Sequence, residues 1–76
     1  MTNNPIRTGK YRHYKGRLYE VLGTVRHSET LEEMVLYKAL YEGEYGKDSL
    51  WVRPREMFFE KVIVGGREVM RFEYVE

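Results

Sequence analysis

The sequence predicts a small, mainly β domain whose antiparallel strands curl into a partly open barrel. Two tight-turn signals support this prediction, Tyr14-Lys15-Gly16-Arg17 and Val64-Gly65-Gly66-Arg67, because each lies between runs of alternating apolar residues. Glycine supplies the positive φ that two-residue hairpin turns need. The third observation is the length of 76 residues. A chain of this size forms one domain and buries only about 60% of its unfolded surface, so we expect a shallow surface site.

The first third of the chain is expected to form a leader and two strands. Residues 1–8 are polar and include Pro5, which predicts a flexible leader ahead of a domain spanning residues 9–76. A strand at residues 9–14 leads through the first turn into a longer strand at residues 17–27. Alternation along the longer strand predicts a core face made of Tyr19, Val21, Val25 and His27, with a bulge at Gly23.

The segment from Ser28 to Gly43 admits two structures. Thr30-Leu31-Glu32-Glu33 has the form of a helix capping box, which would start an amphipathic helix. Met34-Val35-Leu36-Tyr37 is instead rich in strand formers, and the alternation continues as far as Tyr41. We expect an acidic loop with one helical turn, followed by a strand from about Met34 to Tyr41.

The last third of the chain predicts two more short elements and a hairpin. Leu50 to Arg53 is read as a strand stopped by Pro54, which cannot donate to a ladder. Residues 55–58 suit a single 3₁₀ turn, and Lys61 to Tyr74 form a closing hairpin. A short strand, a 3₁₀ turn and a last strand occur in this order in SH3-like barrels. Since curling also protects raw sheet edges, we predict a small SH3-like, partly open antiparallel barrel.

Several blocks of this sequence resemble the bacterial domain-of-unknown-function family 1653. They run in the same order over roughly Gly9 to Tyr74, and they are Gly9-Lys10-Tyr11-Arg12-His13-Tyr14-Lys15-Gly16, Tyr19-Glu20-Val21-Leu22-Gly23, Arg26-His27-Ser28-Glu29-Thr30, Tyr37-Lys38-Ala39-Leu40-Tyr41 and Leu50-Trp51-Val52-Arg53-Pro54-Arg55-Glu56-Met57-Phe58. The resemblance implies an SH3-type barrel and favours a strand for Met34 to Tyr41. It implies no activity.

Composition excludes several classes of protein. Cysteine is absent, which rules out disulfides, thiolate zinc sites and a Cys nucleophile. Hydrophobic residues make up 42% of the chain and charged residues 33%, too apolar a balance for intrinsic disorder. No signal peptide or membrane-spanning run is visible. We therefore expect a cytoplasmic location. The family resemblance implies a bacterial protein, and we further predict that it has no cofactor and is a monomer or a weak homodimer.

The first candidate site combines aromatic rings with an arginine. Arg53 and Trp51 share one face of a predicted strand, so they would present a guanidinium and an indole together to a planar or anionic ligand. The expected ligand-binding residues are His27, Glu29, Tyr37, Trp51 and Arg53. The alternative for Arg53 is a structural ion pair with an acid of residues 28–33.

The second candidate site is for single-stranded nucleic acid, RNA in particular. Its residues are Lys10, Tyr11, Arg12, Tyr14 and Lys15, a mixture of stacking rings and cations that single-strand binders use. The stretch from Arg7 to Arg17 contains five bases and no acid, but the whole chain carries a net charge of only +1. Nucleic-acid binders are more strongly basic, so this function is the alternative.

Catalysis and metal binding receive little support from the sequence. His27-Ser28-Glu29 contains the residue types of a hydrolytic triad, but neighbours on an extended chain point to opposite faces. A minor enzymatic role of His27 and Glu29 is therefore only a second alternative. His13, His27 and Glu29 lack the spacing of metal ligands, so no metal is expected. We predict a binding or accessory module, not an enzyme, that recognises a protein segment or a small polar or anionic ligand.

Overall fold

The computed structural model describes residues 6–75, and it confirms a mainly β domain built from antiparallel strands. The elements in chain order are β1 (Gly9–His13), β2 (Leu18–Arg26), β3 (Glu33–Ala39), β4 (Leu50–Pro54), α1 (Arg55–Phe58), β5 (Lys61–Val64), β6 (Arg67–Met70) and β7 (Phe72–Tyr74). The predicted leader at residues 1–8 lies mostly outside the described residues. Ile6, which precedes β1, packs against the core.

Five of the strands form one antiparallel sheet in the order β4-β3-β2-β1-β7, and β5 pairs with β6 in a separate ribbon. The two sheets do not close into a barrel, as expected for the partly open form. A turn is present at each predicted position, but the first is a three-residue loop at residues 14–16 and not a two-residue turn, because the His13 amide donates to the Arg17 carbonyl at 2.8 Å. In the second turn Gly65 and Gly66 have φ values of 57° and 78°, and they place Val64 opposite Arg67. A two-residue turn of this kind requires positive φ at both central positions.

The closing hairpin is interrupted at Arg71, between β6 and β7, where one continuous strand was expected. The Arg71 amide donates to the Glu60 carbonyl at 3.0 Å, and the Arg71 carbonyl accepts from the Tyr14 amide at 2.9 Å. These bonds hold the chain where it passes from the β5–β6 ribbon to the five-stranded sheet. The last strand, β7, therefore pairs with β1 and not with β5.

A bulge at Leu22 and Gly23 is confirmed by a register shift between β2 and β3, and it corrects the predicted core face of β2. A bulge adds one residue and so reverses which side chains point inward. Val21 is buried before the bulge, whereas Val25 is 40% exposed after it. His27 is exposed as well. The prediction of Val25 and His27 as core residues was wrong because it continued the alternation through Gly23.

The capping-box alternative is not adopted, since β3 begins at Glu33 and no helix forms between β2 and β3. Thr30 accepts a hydrogen bond from the Glu32 amide at 3.2 Å through its hydroxyl, which is a local turn contact. The four residues of α1 form one helical turn directly after Pro54, close to the predicted 3₁₀ turn.

The core is largely aromatic and lies on one face of the five-stranded sheet. Its buried residues are Tyr11, Val21, Val35, Tyr37, Phe58 and Phe72. The rings of Phe58 and Phe72 stack with their centroids 4.1 Å apart and their planes 5° from parallel. Helix α1 thus joins the sheet by inserting one phenylalanine against β7. These core rings also contact Arg53, which lies at their edge.

Candidate functional site

Strand β4 carries two of the predicted site residues on the core-facing side of the sheet. Trp51 lies opposite Tyr37 in the ladder and Arg53 lies opposite Val35, and cross-strand partners share a face. Both Tyr37 and Val35 belong to the core. Trp51 and Arg53 therefore lie on the same side of the edge strand as the core, as their spacing predicted.

The Arg53 guanidinium is half-buried against aromatic side chains. Its Nε donates to the Tyr37 hydroxyl at 3.4 Å, and its Cζ lies 5.6 Å from the centroid of the Phe72 ring. Within residues 6–75 no carboxylate approaches it closely enough for an ion pair. The predicted alternative of an ion pair with residues 28–33 is therefore not found for Arg53.

The acid of that loop is used by a different arginine. Glu33 Oε2 accepts a hydrogen bond from Arg55 Nη1 at 3.0 Å, and both side chains are mostly buried, at 21% and 24% exposure. An ion pair with this loop was the alternative expected for Arg53, before Pro54, and in the structure it is formed by Arg55, after Pro54.

Tyr37 contributes to the site only through its hydroxyl. The residue is 5% exposed, and its ring packs against Phe58, Phe72 and Tyr19. The expectation that this ring forms part of a surface patch needs correction, since the ring belongs to the core. The hydroxyl lies at the edge of the core, where it accepts the hydrogen bond that orients Arg53.

His27 and Glu29 do not join Trp51 and Arg53. They lie in the turn between β2 and β3, where His27 Nδ1 accepts hydrogen bonds from the Glu29 amide at 3.1 Å and the Thr30 amide at 3.2 Å. No hydrogen bond, ion pair or ring contact in the described part of the chain links either residue to Arg53. His27 is thus a turn-stabilising residue whose Nδ1 is already engaged, which leaves the patch smaller than predicted.

His13 is a site residue that sequence reasoning considered only as a metal ligand. It lies opposite Phe72 in the β1–β7 ladder, with the two ring centroids 4.9 Å apart. Burial lowers the pKa of His13, and the positive charges of Arg53, Arg71 and Lys15 lower it further. Its position two residues after the buried Tyr11, on the same face of β1, was the available signal.

A second pair of tyrosines extends the same aromatic surface. The hydroxyls of Tyr19 and Tyr41 lie 2.9 Å apart in a hydrogen bond. Burial raises the pKa of Tyr19 above its usual range, and the bond to Tyr41 raises it further. The Arg17 guanidinium stacks over the Tyr41 ring at 4.3 Å. This part of the domain therefore combines phenol hydroxyls with cations.

The alternative site for nucleic acid is divided between two faces of β1. Tyr11 is 4% exposed and its hydroxyl donates to the Arg7 carbonyl at 2.7 Å, so its ring is not available for base stacking. Lys10 lies opposite Glu20, and Arg12 lies opposite Glu73. Acids from the neighbouring strands thus interrupt the basic stripe. Tyr14 and Lys15 remain exposed at the turn.

Within residues 6–75, no group of three or more His, Asp or Glu side chains is arranged to hold a metal ion. No helix in the same part of the chain is long and apolar enough to span a membrane.

The fold and the open aromatic face define a small all-β domain. Residues 9–74 match the family described as "Protein of unknown function (DUF1653)", and the chain belongs to this family. It is also similar to a crystal structure of a protein belonging to DUF1653 from Bordetella bronchiseptica, with 40% sequence identity, a TM-score of 0.82, and coverage of 92% of this chain and 87% of that chain. No curated protein matches the chain. The family resemblance read from the sequence is thereby confirmed.

Proposed function

We propose that this chain is a binding module that recognises an anionic group, such as a carboxylate or a phosphate, with Arg53 as the principal contact. The observation that supports the proposal is a half-buried guanidinium without a carboxylate partner among residues 6–75. Charged side chains removed from water are ordinarily paired. An anionic ligand would supply the partner that the described chain does not.

The surroundings of Arg53 suit such a ligand. Tyr37 occupies Nε, so the two terminal nitrogens retain donors for the planar, two-point contact that arginine makes with carboxylates and phosphates. Phe72 lies beneath the guanidinium, and Trp51 stands two residues away on the same face. A ligand that carries an anionic group and an apolar portion would therefore contact both arginine and rings.

The recognised chemistry is the same whether the anionic group is carried by a small molecule or by an acidic side chain of a protein segment. We propose binding and not catalysis, because His27, the catalytic alternative with Glu29, already uses Nδ1 within its own turn. The related chain from Bordetella bronchiseptica supports a bacterial origin, and a cytoplasmic location remains part of the proposal.

The test is a titration of the ¹⁵N-labelled protein with acetate and with inorganic phosphate, followed by NMR. We expect saturable shifts of the Arg53 Nε–H and the Trp51 Nε1–H resonances. Arg53→Gln should weaken binding at least about tenfold, because a charge-assisted hydrogen bond contributes about 1.5–3 kcal/mol. Arg67→Gln is the matched control, since Arg67 is exposed on the separate ribbon. Equal losses in the two variants would show that only net charge matters and would overturn the proposal.

The nucleic-acid alternative predicts a distinct dependence of binding affinity on salt concentration. Binding of a single-stranded oligonucleotide through Lys10, Arg12 and Lys15 would give a log–log salt slope of about −0.7 per phosphate contacted. Arg12→Gln would reduce that slope, whereas Arg53→Gln would not. Tight oligonucleotide binding that depends on Arg12 and not on Arg53 would replace the proposed function with this one.

A further inference from the structure

A pocket of about 420 Å³ lies between the start of β2 and the loop that joins β3 to β4. Its walls include the rings of Tyr41, Tyr45 and Trp51, the acidic residues Glu42 and Glu44, and the basic residue Arg17. Arg53 does not line it. The pocket is therefore separate from the proposed anion site, although Trp51 stands at the boundary of both.

The rings of this pocket are held in defined positions. The Trp51 indole donates from Nε1 to the Ser49 hydroxyl at 2.9 Å. The Tyr45 ring meets the indole edge-on, with centroids 5.4 Å apart and planes at 74°. Tyr45 is nevertheless 69% exposed. Two aromatic side chains at a steep angle, one of them largely free of other packing, form a corner in which a ligand can contact a ring face.

The loop behind the rings is fixed by its own backbone. The Gly46 amide donates to the Gly43 carbonyl at 3.0 Å, and the Asp48 amide donates to the Ala39 carbonyl at 3.1 Å. A Cβ on Gly43 would approach within 2.8 Å of the Tyr41 ring, so the glycine allows that ring to pack directly against the loop. The pocket is a built feature of the loop and not a gap between unrelated side chains.

The chemistry of the pocket favours a cation. Arg17 stacks on Tyr41 at the edge of the pocket, with Cζ 4.3 Å from the ring centroid, which shows that one ring of the lining accepts a guanidinium. In net charge, Arg17 balances only one of the two carboxylates that line the pocket. Glu42 and Glu44 are exposed beside the pocket, and no ion pair to either is formed by the described residues. Aromatic faces together with carboxylates attract an ammonium or guanidinium ligand.

We infer that this pocket binds a basic side chain, arginine or lysine, of a partner protein segment, seated in the corner between Tyr45 and Trp51 and balanced by Glu42 and Glu44. The site goes beyond the anion-binding function, because Tyr45, Glu42 and Glu44 are not part of the anion site and the recognised charge is the opposite one; Trp51 borders both sites. A segment carrying both charges would contact the two sites together, but neither site requires the other.

Trp51 is the chain's single tryptophan, so its fluorescence reports on this pocket. The probe is N-acetyl-arginine amide, with N-acetyl-lysine amide as the second basic probe and N-acetyl-citrulline amide as the uncharged isostere of the first. We expect a saturable change in Trp51 emission with the basic probes and at least fivefold weaker binding of the citrulline compound. Equal affinity for the arginine and citrulline compounds would overturn the inference.

Matched variants separate ring, charge and fold. Tyr45→Leu should weaken binding of the arginine probe roughly two- to fivefold, as for one exposed cation–π contact, whereas Tyr45→Phe should retain it. Glu44→Gln should weaken binding and reduce its dependence on salt. Tyr14→Leu is the control, because Tyr14 is an exposed tyrosine outside this pocket.

The two proposals fail separately. Arg53→Gln should leave binding of the arginine probe unchanged, and Tyr45→Leu should leave acetate binding unchanged. Loss of the arginine probe in Arg53→Gln, or an equal loss in Tyr45→Phe and Tyr45→Leu, would contradict the pocket. Absence of acetate binding in the wild-type chain would contradict only the anion site.

Discussion

Arg53 and Arg55 are separated by a single proline, yet one lies over aromatic rings and the other in an ion pair. Arg53 is the single arginine of β4, and its guanidinium contacts the Tyr37 hydroxyl and the Phe72 ring. Arg55 opens α1 and binds Glu33 at 3.0 Å. The difference shows that the partner of a charged side chain is chosen by register and by where a strand ends.

The physical cause lies at Pro54. Arg53 is opposite Val35 and Pro54 is opposite Met34, so the ladder continues up to the proline and places Arg53 on the core face. The chain then turns into α1, and Arg55 meets Glu33, the first residue of β3. One arginine is thereby available for a ligand and the other fastens the helix to the sheet.

The largest loss of stability is expected from removing the Phe58 ring, which connects the surroundings of Arg53 and Arg55. Phe58 is fully buried, follows Arg55 on α1, and stacks on Phe72, which lies beneath Arg53. Phe58→Ala should lower the free energy of unfolding by about 3–5 kcal/mol, measured as a urea midpoint. Met57→Ala, at an exposed neighbour in the same turn, should cost much less.

If Phe58→Ala does not fold, Phe58→Leu should give a smaller loss in the same direction. A loss for Phe58→Ala no greater than that for Met57→Ala would show that the stacked pair is not the common base.

A smaller effect separates the two arginines themselves. Arg55→Gln should lower the free energy of unfolding by about 1–3 kcal/mol, between the values of exposed and buried ion pairs, because Glu33 loses this partner in a mostly buried position. Arg53→Gln should cost about 1 kcal/mol or less, since it breaks one long hydrogen bond and one ring contact.

Lys61→Gln is the control for this pair of variants. It removes an ion pair with Glu68 whose side chains are 58% and 62% exposed, and such pairs contribute little. A larger loss for Arg53→Gln than for Arg55→Gln would reverse the comparison and assign Arg53 to structure.

A third prediction concerns the hydroxyl that orients Arg53. Tyr37→Phe keeps the buried ring and removes the acceptor for Arg53 Nε, so we expect a stability loss of about 0.5–1 kcal/mol together with weaker acetate binding. Tyr19→Phe is the comparison, because its hydroxyl bonds Tyr41 and not Arg53. Weaker acetate binding in Tyr19→Phe but not in Tyr37→Phe would place the anion on the other hydroxyl pair.

Sequence reasoning predicted local structure well where turn chemistry decided it. The Gly65-Gly66 hairpin, the strand at β3 and the bulge at Gly23 all follow from residues close in the chain. The prediction failed where a local irregularity in one strand changes the facing or the pairing of residues further along the chain. The bulge reversed the faces of Val25 and His27, and the break at Arg71 moved β7 to the far edge of the sheet.

The candidate site was predicted in part for the same reason. Trp51 and Arg53 share a face because of their spacing, which is a local property. The burial of Tyr37, the place of His13 and the absence of contacts from His27 and Glu29 to Arg53 depend on cross-strand register and on the curl of the sheet. No pattern within one segment reports those relations.

The smallest expected effect is electrostatic and again distinguishes the two arginines. Burial is the main cause of the lowered pKa of His13. The charge of Arg53 lowers this pKa further, whereas the charge of Arg55 does not contribute. Because the folded-state pKa lies below the unfolded value of 6.5, the unfolded chain binds more protons in the window between them. The stability contribution is therefore complete above pH 6.5 and is lost as the pH falls towards the folded-state pKa. NMR titration of the His13 ring should show a higher pKa in Arg53→Gln and no change in Arg55→Gln, and the pH dependence of the urea midpoint below pH 6.5 should become shallower only in the former. An equal shift in both variants would mean that His13 responds to overall charge, and that Arg53 has no special proximity to it.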